Sequence, residues 1–156
     1  MRRLCCIERS PSTVKQALLT MEILVRGTFS KDVYDEIAPL SHEFSQMIEA
    51  LNLENVKSSI ECLIYFPVLT SDKFDLPTKS GRRYSRKDNT EFVSVEIAFD
   101  RWKRSDNIAR FIMIEEGLKK AINNTKESRI KEESKNFIIE EIEEATKNYI
   151  KNKELR

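Results

Sequence analysis

Apolar and polar residues alternate from Phe92 to Phe99, and then the period lengthens. Val93, Val95, Ile97 and Phe99 share one face of a strand, with Ser94 and Glu96 on the other. After Ser105 and Asp106 the apolar residues return every three or four positions. Ile108, Phe111, Ile114, Leu118 and Ile122 therefore predict a helix from about Asp106 to Ile122. Upstream, "MEILVRGTF" reads as a strand over 21–28. Ser30 offers an N-cap to a helix over 31–51, whose stripe is Val33, Ile37, Leu40, Phe44, Met47, Ile48 and Leu51. Pro39 sits inside that stripe and is expected to kink the helix or split it.

"SSIECLIYFPVL" supplies a second strand with Ile60, Cys62, Ile64 and Phe66 on one face, and Pro67 is expected to end it. The residues over 68–81 are turn-rich. A hairpin follows, with a strand near 82–86, a turn near 87–90 and a strand over 91–99. A last helix over 129–152 carries Ile138, Ile142, Ala145 and Tyr149 on its buried side and blocks of Glu and Lys elsewhere. The order β-α-β-β-β-α-α predicts an α+β fold, an antiparallel or mixed sheet of about four strands with helices packed on one face. Arg26, Glu61 and Glu96 fall on the non-core register of their strands, which predicts a charged row on an open sheet face.

At 156 residues, of which 40% are hydrophobic and 34% charged, the chain can bury a core without metal or disulfide staples. A single domain is expected over 21–156. Residues 1–20 have no clear period and are either an extension ahead of a natural start at Met21 or a short helix over 13–19. The three cysteines, two of them adjacent, form no disulfide framework. Cys62 reads as a small buried hydrophobe. This usage, together with the absence of any apolar run long enough for a membrane span, points to the cytoplasm.

Candidate chemistry is sparse. The single histidine, His42, has no nucleophile near it in the pattern, and phosphate-binding glycine loops and metal-ligand spacings are absent. The expectation is a non-enzyme with no cofactor and no metal. The main charge feature is "KSGRRYSRK", where Lys79, Arg82, Arg83, Arg86 and Lys87 surround Tyr84. A second basic group, Arg101, Lys103 and Arg104, flanks Trp102. If Arg82 and Arg83 reach the Asp100 end of the hairpin, the two groups join into a basic patch with two aromatics. Such a patch suits phosphates or the acidic surface of a protein. The plainer reading is a loop kept soluble by arginines, with Trp102 packed into the strand–helix corner.

Several segments together resemble a known family. "ILVRGTFSKDVYD" and "SGRRYSRKDNTEFVSVEIAFDRWKRSDNIARFIMIEEGLKKAI" are similar, over about Met21 to Ile122, to the bacterial immunity proteins catalogued as immunity protein forty-four. Thr28 departs from the pattern, which has an acidic residue after the glycine. The resemblance implies an immunity protein that binds and neutralises a cognate toxin by stoichiometric protein–protein interaction. Charge and strand register nominate Arg82, Arg83, Tyr84, Arg86, Trp102, Glu61 and Glu96 as partner-binding residues. Reversing Arg82 and Arg83 to Glu is then expected to weaken toxin binding and leave thermal stability nearly unchanged. The alternative is a small nucleic-acid-binding protein using the basic hairpin around 79–87. A net charge of +1 and the acids of the last helix argue against it.

Overall fold

A helix placed between two strands carries the chain back to its starting edge, so the strands it joins run parallel. This is the arrangement of β1 (Glu22–Val25), α1 (Lys31–Glu49) and β2 (Cys62–Thr70), with the strands in register from Glu22↔Cys62 to Val25↔Tyr65. The computed structural model describes residues 21–26, 31–70 and 81–154. The expectations for residues 1–20, the Ser30 cap, the part of the turn-rich stretch over 71–80, and Lys79 lie outside them. β3 (Gly81–Ser85) and β4 (Thr90–Ala98) form the antiparallel hairpin, and β4 also runs parallel to β2 along its whole length. The result is a mixed four-stranded sheet in the order β1-β2-β4-β3.

Three helices close the described chain: α2 (Phe99–Lys103), α3 (Asn107–Asn123) and α4 (Glu132–Glu154). The α+β architecture and element order match the hydrophobic pattern, with α2 added at the corner between β4 and α3. Asp106 caps α3, its carboxylate accepting the Ala109 N–H at 2.8 Å. α1 runs from Lys31 to Glu49 through Pro39 without interruption, so it is not split.

Pro67 does not end β2. It lies inside the strand, opposite Val95 of β4. The C=O of Tyr65 faces β1, where it accepts the Arg26 N–H at 2.9 Å, so position 67, of the same parity, also turns its backbone to that side. The ladder with β1 stops at Tyr65. A proline there removes no donor that this ladder uses.

The face of β2 turned to the helices also differs from expectation. Leu63, Tyr65 and Leu69 are fully buried and align with Ile23 and Val25 of β1 and with Val93 and Ile97 of β4. Cys62, Ile64 and Phe66 point to the opposite face, beside Leu24 and Phe92. Both faces of this central strand are apolar, so alternation could not choose between them. Packing chooses: the Tyr65 hydroxyl donates to the Ile114 C=O at 3.0 Å, and its ring lies against Gly117 of α3. Burial pushes the phenol well above its usual range.

A Cβ on Gly117 would come within 2.0 Å of the Tyr65 oxygen. Gly117→Ala is therefore expected to lower stability by about 1–3 kcal/mol. The same change should cost less in a Tyr65→Phe background, which lacks the colliding oxygen. Equal costs in both backgrounds, measured by urea denaturation, would show that the ring is not the obstacle.

α4 closes the core over α3 and α1. Phe111 is fully buried, edge-on to Phe44 with centroids 5.0 Å apart and stacked on Tyr149 at 4.1 Å. Farther along the same seam, Lys119 donates to Glu143 at 2.8 Å. Burial raises the Glu115 carboxyl above its usual range, and Lys119 offsets part of that rise.

Candidate partner-binding surface

β4 carries one charge on the face that packs on the helices. Glu91 lies in the phase of Val93 and Ile97, opposite Leu63 and Tyr84, and is fully buried. A carboxylate taken from water needs cationic donors on both oxygens. Arg82 of β3 supplies one at 2.8 Å to Oε2, and Arg129, from the α3–α4 connection, supplies the other at 2.8 Å to Oε1. Arg82 also donates to Thr125 Oγ1 at 3.0 Å and to the Ala121 C=O.

The Arg129 guanidinium also stacks 4.1 Å from the Tyr84 ring, and the Tyr84 hydroxyl donates to Asn89 Oδ1 at 2.7 Å. Asn89 occupies the left-handed region with φ 50°, closing the hairpin turn, and its amide donates to the Ser59 C=O at 2.9 Å. Through Arg82 and Arg129 the buried carboxylate binds the hairpin to the end of α3 and the α3–α4 connection, and Asn89 ties the turn to the approach to β2.

The nominated residues separate accordingly. Arg82 and Tyr84 come together, but around Glu91 and half-buried, with their polar atoms engaged inside the molecule. Arg83 points to the opposite sheet face, exposed, its guanidinium 4.4 Å above Phe92. Arg86 is exposed in the turn.

Trp102 is fully buried in α2, with Arg110 over its ring at 5.2 Å and donating to its C=O at 2.8 Å. In this position the indole offers no surface to a partner. The corner is a packed hinge between β4 and α3. Glu96 is exposed and lies in register with Val68. Glu61 precedes β2, half-buried, and its backbone N–H donates to the Asn89 C=O.

Two expected assemblies do not form. Arg82 pairs with Val93 and Gly81 with Ser94, so β3 stops well short of Asp100. The nine residues of β4 span roughly 30 Å and separate the turn with Arg86 from Arg101, Lys103 and Arg104. Arg86 and Lys87 therefore lie at the opposite end of the sheet from Arg101, Lys103 and Arg104. Arg26, Glu61 and Glu96 do not make a charged row either, because the face between them is built from Leu24, Ile64, Phe66 and Phe92, all half-buried.

Glu91 and Arg129 are not legible as site residues from composition or charge clustering. The available signal was a charge in the apolar phase of β4, one residue in register from the hairpin arginines. Among the described residues no group of His, Cys, Asp and Glu is arranged to hold a metal ion, and no helix is long and apolar enough to cross a membrane. Residues 21–152 match the family model described as Immunity protein 44. No curated protein and no solved structure matches the chain.

Proposed function

Because the chain belongs to the immunity protein 44 family, we propose that it binds a cognate bacterial toxin and neutralises it as a stoichiometric protein–protein complex in the cytoplasm of the producing cell. The observation carrying this reading is the extent of the family match, which runs from β1 almost to the end of α4. Inhibition of this kind asks a rigid scaffold to present complementary shape and charge, with a few buried anchors inside a polar rim. The sheet, the Glu91 network and the Phe44–Phe111–Tyr149 stack supply the rigidity.

A growth assay tests it. The toxin candidate encoded next to this chain is induced in a bacterial host, alone and together with the chain. Growth arrest relieved in proportion to the amount of this protein is the expected result. Relief that needs only trace amounts would point to turnover and count against a stoichiometric inhibitor. An arrest that the chain does not relieve would overturn the immunity reading.

A further inference from the structure

Two adjoining depressions border the C-terminal end of α1 and share Ala50 and Leu51. The first, about 590 Å³, lies between α1 and α4, and its apolar floor includes Met47, Leu51 and Tyr149. The second, about 700 Å³, turns round the end of the helix toward β1, past Ile48 and Leu53. Joined, they form a groove with an apolar floor wrapped around a helix terminus.

The rim of this groove is acidic. Glu49 and Glu54 are both exposed and have no ion-pair partner among the described residues. Lys153 sits at the other end, already 3.4 Å from Glu43 and 5.3 Å from the centre of the Tyr149 ring. The last turn of α1 contains no basic residue, so the negative end of its dipole adds to Glu49 instead of being offset. An apolar floor under uncompensated negative charge is complementary to a cation carried on an apolar stem or beside an apolar side chain.

We infer that this groove is the docking surface for the toxin, and that the toxin enters it with a cationic amphipathic segment. Lysine or arginine side chains meet Glu49 and Glu54 there, and an apolar anchor settles on Met47, Leu51 and Tyr149. The inference rests on the immunity reading and deepens it by naming the chemistry of the partner. It also opposes the hairpin alternative, since Arg83 and Arg86 would select an acidic partner.

The experiment uses the full chain and the toxin of the adjacent reading frame, in the growth assay and in a binding titration. Three forms are compared with the parent: Glu49→Lys with Glu54→Lys, Ala50→Trp, and Arg83→Glu with Arg86→Glu. All five positions are exposed, so thermal midpoints near that of the parent are expected and are measured first. The two groove variants should bind roughly a hundredfold more weakly, or worse, and lose protection. Groove variants that still protect, with protection lost instead in the hairpin variant, would place the interface on the sheet and overturn the proposal. Failure of the parent itself to protect would overturn the immunity reading, and the docking surface with it.

Discussion

Arg82→Glu should lower the stability of the protein by roughly 3–5 kcal/mol at neutral pH, the scale seen when one partner of a buried ion pair is removed. The carboxylate it serves, Glu91, is fully buried, and among the described residues its cationic donors are Arg82 and Arg129. The substitution would set a second carboxylate beside the first and leave Thr125 and the Ala121 C=O without the guanidinium. Arg83→Glu, one residue along, removes only an exposed stacking contact with Phe92, worth about 0.5–1 kcal/mol. Charge alone had suggested that both reversals would leave stability unchanged; only Arg83 meets that description. Urea midpoints of the two single variants decide the matter, and equal midpoints would mean that Glu91 does not depend on Arg82. A loss of toxin binding in Arg82→Glu would consequently report misfolding before it reported an interface.

Phe111→Ala is expected to cost about 3–5 kcal/mol, in the range for a fully buried aromatic reduced to a methyl group. The ring touches two other aromatics on two different helices, Phe44 on α1 and Tyr149 on α4. Its removal leaves a cavity at the place where three helices meet, and neither neighbour can fill it without giving up its own packing. The same substitution should loosen α4, whose stacked contact with α3 runs through that ring, and so hasten hydrogen exchange in α4 ahead of the sheet. A change below about 1 kcal/mol would show that the helices close over the gap.

These two predictions differ in how far the sequence led to them. Phe111 was legible because its helix is amphipathic and bounded by a capping Asp106, so period and cap agree on register. The hairpin was legible for a similar reason, with alternation on β4 and a polar stretch ahead of it. Arg82 was legible only as a charge. Its partners lie 9, 39 and 43 residues away along the chain, and nothing in local spacing indicates which way its side chain turns.

Trp102 shows the same limit from the other side. Its position between strand and helix was readable, whereas its complete burial depends on how α2 packs beneath Arg110.

Spacing along the chain was enough to place four strands, three long helices and the hinge, because hydrophobic period and capping chemistry act over only a few residues. Which face of β2 meets the helices, whether the sheet is mixed, and how Glu91 is neutralised were decided by packing. β2 is apolar on both sides, so its orientation follows from the fit of Tyr65 against Gly117, a contact between residues 52 positions apart. The groove at the end of α1 belongs to the same class. Its floor comes mainly from two helices far apart along the chain, and its charge comes from acids that the sequence shows as ordinary solvated residues. Long-range contacts of that kind leave no period in the sequence, because each half is satisfied only when the other arrives.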